Sequence, residues 1–315
     1  MSPARVLGLL SLVALVSAAG YMGLAARAPW SFLLPFRGEK LLALIVVAVA
    51  VSTATVLFQT ITFNRILTPS VMGFDALYVL IVTVAVYLFG GATVVGWPGI
   101  TIFLISALAM ISASLLLFGT LLVQVRADIV RMILTGIIFG LLFRSLTGFL
   151  ARLIDPNEFA VLQVASYARF NTIETELLGI AAPVTLVAVA LAWRMRRALD
   201  VVALGHDLAM DLGEEPRLRQ FQALTIVAVL VAVSTAFVGP VAFLGLLVVS
   251  LARWALPSPC HAHLLTASAL VSVIVLVGGQ TVLERVMKSS TPLSVIVELL
   301  GGLVFLSLVL RGKAK

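Results

Sequence analysis

Apolar runs and short polar breaks alternate along the whole chain. The runs fall at 6–23, 41–61, 72–89, 100–121, 130–150, 176–193, 221–238, 241–256, 264–283 and 293–310. Most approach the roughly 20 residues an α-helix needs to cross a bilayer. The eighth, 241–256, is shorter and follows a Gly239-Pro240 break. The alternating segments of about 10 residues that mark a membrane β-barrel are absent. The pattern therefore predicts an all-α polytopic membrane protein with about ten transmembrane helices. An even number of spans puts both ends of the chain on one side. The opening Met1-Ser2-Pro3-Ala4-Arg5, with Ser17-Ala18-Ala19-Gly20 after a short apolar stretch, has the outline of a signal peptide. A retained first helix is the expectation in a chain of many spans.

Composition agrees: 62% of residues are hydrophobic and 11% charged, against about 25% charged in soluble domains. Mean hydropathy is +1.18. The net charge of +7 reads as Lys and Arg anchors at helix ends rather than as a nucleic-acid surface. With both ends inside, 13 of the 21 Lys and Arg residues lie on inner segments, Arg65, Arg126, Arg131 and Arg253 among them. The outer 8 include Arg27, Arg37, Lys40, Arg144, Arg152, Arg169, Arg285 and Lys288. The bias predicts cytoplasmic termini. A lone Cys260 excludes an internal disulfide.

Three polar features interrupt the pattern. The first is the break carrying Asn64, Arg65, Pro69, Gly73 and Asp75 between the second and third spans. Proline removes a backbone donor, and polar groups at such a depth must be held by protein or face a water-lined path. The second is the Gly136/Gly140 pair on one face of the fifth span, a candidate packing seam. The third is the hydrophilic block 194–222. Within it Ala203-Leu204-Gly205-His206-Asp207-Leu208-Ala209-Met210-Asp211-Leu212-Gly213 follows Asp200 and predicts two short amphipathic helical pieces. Such a pair either lies on the membrane surface or docks a partner.

Catalytic and nucleotide chemistry is missing from the sequence. No G-x-x-x-x-G-K-[ST] phosphate loop and no G-x-S-x-G nucleophile turn occurs. Gln59, Asn64, Gln124, Gln280 and Glu298 are the few polar groups in the spans. An ion-coupled carrier would place several carboxylates at mid-membrane, so a passive conduit energised from outside the chain is favoured. Glu298 either bonds a neighbouring helix or faces a cavity. Cys260, His261 and His263 are close in sequence but lack a fourth ligand, and a solvated turn is the expectation.

Four stretches together resemble the permease subunits of bacterial iron-chelate ABC importers, the group that includes the vitamin B12 permease. They are Asn64-Arg65-Ile66-Leu67-Thr68-Pro69-Ser70-Val71-Met72-Gly73; Ala203-Leu204-Gly205 through Asp211-Leu212-Gly213; Gly239-Pro240-Val241-Ala242-Phe243-Leu244-Gly245-Leu246 with Ala252-Arg253; and Pro292 with Leu300-Gly301-Gly302. The first, with Phe74-Asp75, is similar to the branch serving catecholate-type and related siderophores. Val248-Val249-Ser250-Leu251, where the family often has Val-Pro-His, and Arg65 in place of a proline are departures that suggest a permease pairing with an unlike chain.

The resemblance implies a single permease domain over 1–315 with ten helices, the type II ABC importer permease fold, in the bacterial inner membrane. It implies two ATPase subunits that bind ATP and Mg, a second permease that is identical or homologous, and an extracytoplasmic binding protein. It implies no cofactor on this chain and no nucleic-acid partner. It places the ATPase contact on residues 203–213 and binding-protein docking on Arg37, Lys40, Arg285 and Lys288. Haem or cobalamin is the alternative cargo, and an ion-coupled secondary carrier the alternative class.

Overall fold

The computed structural model describes residues 2–25, 29–124, 129–170, 175–256, 258–287 and 292–310. Side chains of 117–124 and 129–133 also lie outside the described set. Among the described residues, ten apolar helices, seven long and three shorter, fall at the ten runs. They are α1 (Pro3–Gly23), α2 (Trp30–Ile61), α3 (Phe74–Phe89), α5 (Gly99–Gln124), α6 (Ile129–Ala151), α8 (Thr175–Arg194), α11 (Pro216–Val238), α12 (Leu244–Ala255), α13 (His261–Met287) and α14 (Leu293–Leu310). Four short helices join them: α4 (Gly91–Val95), α7 (Phe159–Ala165), α9 (Arg196–Val202) and α10 (His206–Asp211). The uncharged Gly90–Gly99 segment between α3 and α5 holds α4. α7 lies in the polar stretch after α6; of the two amphipathic pieces expected at the elbow, α10 falls within 203–213, whereas α9 starts earlier and ends just before it.

α2 and α11 form the centre, with 67% and 72% of their apolar windows buried against 11% for α6. Small residues make this possible: Ala43, Ala48, Ala50, Ala54, Ala223, Ala228 and Ala232 are fully or nearly fully buried, and such residues let backbones approach closely. No water is available at that depth, so buried hydroxyls turn back on their own helix. Thr55, Thr60 and Thr62 donate to Val51, Val56 and Phe58 carbonyls at 2.8, 2.8 and 2.7 Å. Gly245 of α12 sits directly on Thr55, where a Cβ would collide.

Helix lengths do not match the bilayer uniformly. The 32 residues of α2 span about 48 Å, more than the roughly 30 Å hydrocarbon layer. Its overrun is aromatic: Trp30, Phe32 and Phe36 are exposed, and Lys40 Nζ lies 4.6 Å from the Phe36 ring centre. That is the composition of an interfacial belt. α12 has 12 residues, about 18 Å, because it starts only after the Gly239-Pro240 break. α13 widens into π-helical turns at Ile274–Gly278 and Val282–Met287.

Candidate functional site

The break after α2 is built residue by residue. Phe63 takes a positive φ of 49°, and the Asn64 Oδ1 accepts the Ile66 N–H at 2.9 Å. Pro69–Met72 then makes one 3₁₀ turn, and Gly73 at φ 95° opens α3. This turn lies on α6 at Gly136 and Gly140. A Cβ on Gly73 would stand 2.7 Å from the Gly140 Cα, and one on Gly136 would overlap Met72. The two glycine features therefore form one seam. Arg65 is exposed at the α2 end of the break.

The second break is clamped in the same way. Gly239 (φ 99°) faces Tyr167, whose carbonyl would lie 2.8 Å from a Cβ there. The Arg169 N–H donates to Val238 O at 2.7 Å, and Ser294 Oγ of α14 donates to Ala168 O at 3.3 Å. The loop after α7 is thus pinned between α11 and α14.

Between the two breaks lies a cavity of about 530 Å³, walled by α3, α6, α7, residues 240–243 and α14. Asp75, Arg144 and Glu298 bring charge to it, and Gln163, Ser166 and Tyr167 bring neutral polar groups. Asp75 sits in the first turn of α3, where the helix dipole favours a carboxylate. Its Oδ2 is buried and has no hydrogen-bond partner among the described residues; Ser70, Glu298 and Arg144 surround it. Glu298 lines the cavity and is held by the Ala242 backbone amide of the break, so of the two readings open for it the cavity-facing one is realised and its partner is a loop rather than a neighbouring helix. Apolar side chains supply the remaining wall. Among the described residues no three His, Cys, Asp or Glu side chains converge as metal ligands. Both signs of charge and several neutral polar groups thus face one cavity.

Residues 203–213 lie at the opposite end of the helices from α7. Leu204, Leu208, Met210 and Leu212 are all more than half exposed. Gly205 and Gly213, at φ 109° and 81°, set the turns on either side of α10. Glu214 fastens the elbow to α11 through Arg219 Nε at 2.7 Å. Above it, one buried histidine joins three helices. His261, 4% exposed, gives its backbone N–H and its ring Nδ1 to Asp200 Oδ1 of α9, both at 2.7 Å. Its Nε2 shares a 2.8 Å hydrogen bond with Thr60 Oγ1 of α2. Asp200 thereby supplies the cap that Cys260 does not give α13. His263 is turned to Ser258 instead, at 2.8 Å, so the Cys260, His261 and His263 side chains do not gather.

Two of the arginines expected to dock the binding protein are engaged within the chain. Arg37 is 4% exposed. Its Nη1 donates to Met22 O at 2.7 Å and Leu24 O at 3.0 Å, and its Nη2 to Ala25 O at 3.2 Å. It closes the C-terminal end of α1 and offers no free charge. Arg285 is not in a loop but inside α13, 3.5 Å from Glu284 and against the Tyr21 ring. Both arginines gather on Tyr21 because the ends of α1, α2 and α13 meet there. Lys40 is half-buried over Phe36. Lys288, Arg27, Arg126 and the Arg131 side chain lie outside the described residues.

Arg144, counted among the outer Lys and Arg residues, lines the cavity wall. It was legible as the one charge inside the apolar window 134–151. The α7 residues, Tyr21 and the Asp200–His261–Thr60 bridge had no such signal, because their partners are distant in sequence.

A model of the FecCD transport family matches residues 6–311. The petrobactin import system permease protein YclO of Bacillus subtilis is 45% identical over 282 residues, 90% of each chain. The petrobactin import system permease protein FatC of Bacillus anthracis is 33% identical over 274 residues, 87% of this chain and 77% of its own. A solved metal-chelate type ABC transporter in an inward-facing conformation superposes with a TM-score of 0.85 at 20% identity, covering 98% of this chain and 100% of that one. The fold is therefore that of an ABC importer permease.

Proposed function

The chain belongs to the FecCD transport family, and from that membership we propose that it is the permease through which a ferric siderophore is imported at the expense of ATP. It is a multi-pass membrane protein. In this reading it sits in the bacterial inner membrane with both termini and the 203–213 elbow in the cytoplasm, as its Lys and Arg distribution favours. Two ATPase subunits bind ATP and Mg below the elbow, a second permease faces the cavity, and an external binding protein delivers the chelate. Petrobactin is the first cargo to test, because the relatives at 45% and 33% identity carry its name.

The observation that carries the ATP-driven part is the elbow. Four large apolar side chains stand exposed outside the membrane on a segment that ties directly into α11 and, through Asp200, into α13 and α2. Exposed apolar patches rimmed by charge mark a partner surface. Closing of the ATPases would push this segment, and Asp200 would carry the displacement to the helices beside the cavity. Arg144, Asp75 and Glu298 give that cavity both signs of charge. It is suited to letting a polar chelate pass without holding it tightly.

Replacing Leu204–Leu212 with a Gly/Ser linker should leave membrane insertion intact and abolish uptake of iron-59-labelled siderophore in proteoliposomes that contain the ATPase, the binding protein and the second permease. Undiminished uptake by that variant removes the coupling proposal. Uptake by the intact assembly that needs an ion gradient and no ATP removes the ABC assignment.

A further inference from the structure

A second cavity, of about 730 Å³, opens where α8 leaves the membrane beside α11. It is far from the passage. α8 meets α2, α5 and α11, whereas the passage is walled by α3, α6, α7 and α14. Its floor is basic, with Arg194, Arg197 and Arg219. Arg219 is already engaged, 2.7 Å from Glu214 and 3.1 Å from Gln222. Arg194 and Arg197 are exposed, and neither has an ion-pair or hydrogen-bond partner among the described residues. Two guanidinium groups thus face one hollow with the only lining carboxylate, Glu214, taken.

The upper wall is apolar and continuous with the lipid-facing side of α8. Leu191 and Phe221 are 49% and 44% exposed at the cavity, and Leu186 and Val187, one turn deeper, are 71% and 60% exposed. Trp193 marks the interface, with the Arg196 guanidinium 4.9 Å over its ring. A basic hollow between transmembrane helices at the membrane boundary has the chemistry of a phospholipid headgroup site. The ATPase does not suit it: a water-soluble surface would have to enter the bilayer to cover Leu191 and the α8 face below it. We propose that this cavity binds one anionic phospholipid, with the headgroup phosphate between Arg194 and Arg197 and an acyl chain along Leu191 and Phe221.

The test uses Trp193 as reporter, with Trp30, Trp97 and Trp254 replaced by Phe in the full chain. Phosphatidylglycerol and phosphatidylcholine, each with brominated acyl chains, are titrated into the micelle. Phosphatidylglycerol should quench Trp193 at about a tenfold lower mole fraction, as expected when two Arg act on one anionic headgroup. R194Q/R197Q should erase that preference and keep quenching by phosphatidylcholine, which shows the helix still in place; R194K/R197K should restore most of it. Equal quenching by the two lipids, or a preference that survives R194Q/R197Q, overturns the proposal. So does inorganic phosphate at about 10 mM abolishing the preference, because the site would then take a soluble anion.

Discussion

The bridge at His261 gives the sharpest prediction. His261→Ala removes two ring hydrogen bonds. The one to Asp200 is made to a carboxylate and is worth about 1.5–3 kcal/mol; the one to Thr60 about 1 kcal/mol. The backbone N–H to Asp200 bond at 2.7 Å is geometrically free to remain. Asp200, with a side chain 36% exposed, regains water and offsets part of the loss, while the emptied imidazole site adds a cavity cost. The net is about 2–4 kcal/mol against the docked position of α9. At about 1.4 kcal/mol per factor of ten, the docked population falls by tens to hundreds of fold relative to the undocked one. The assay is the ratio of siderophore transported to ATP hydrolysed in the reconstituted importer. H261A should keep hydrolysing ATP while transport per ATP falls at least fivefold. Thr60→Val, which removes only the Nε2 partner, should give a smaller fall. Asp200→Ala combined with H261A should cost clearly less than the two single effects added, since the groups share one interaction. An unchanged transport-to-hydrolysis ratio in H261A, or strict additivity, refutes the bridge as a transmitting contact.

Two further substitutions test the packing. Gly73→Ala combines a left-handed backbone, costing roughly 1–2 kcal/mol, with a Cβ 2.7 Å from the Gly140 Cα, an overlap with backbone that costs roughly 1–3 kcal/mol; G73A should lower the melting temperature in detergent more than G140A does, and equal melting of G73A and the unsubstituted protein contradicts the seam. Arg37→Gln should lower the melting temperature through loss of the α1 end cap, by about 2 kcal/mol for a lost charged donor, and leave affinity for the binding protein unchanged; weaker binding at unchanged stability restores the docking role.

The ten runs were readable because a bilayer imposes one rule on every span, a continuous apolar stretch of fixed length. The breaks were readable because proline and glycine announce themselves: Pro69, Gly73, Gly239 and Pro240 each stand where the backbone turns. Tertiary partnership was not readable. Arg37 and Arg285 look like exposed anchors in a linear sequence, and only the convergence of α1, α2 and α13 turns both toward Tyr21. His261 looks like a loop residue until α9 brings Asp200 to it across 61 positions. Arg144 was legible as a charge within an apolar span, but its purpose was not, because the cavity that justifies it is built from four other segments.

The distribution of bonds across the helices also sets where displacement meets least resistance. α2 is gripped at both ends, by Arg37 against α1 and by Thr60 against His261, and its interior is sealed by α11. α6 shows no such grip among the described residues. Its described exposed residues, Leu134, Ile138, Leu141, Leu146 and Phe149, wait for lipid or a second permease. Its contact with the break is glycine on glycine, with Gly140 against Gly73. At Gly140 the seam brings backbone to backbone with little side chain between, while Met72 seats on Gly136 beside it, so a slide of about 1 Å along it has to reseat Met72 but not a fully interdigitated core. On the proposed coupling, a push delivered through Asp200 into α2 and α13 would be taken up at the α3–α6 seam. That seam carries Asp75 on one wall of the cavity and Arg144 on the other, so the same slide changes how far apart the two charges stand.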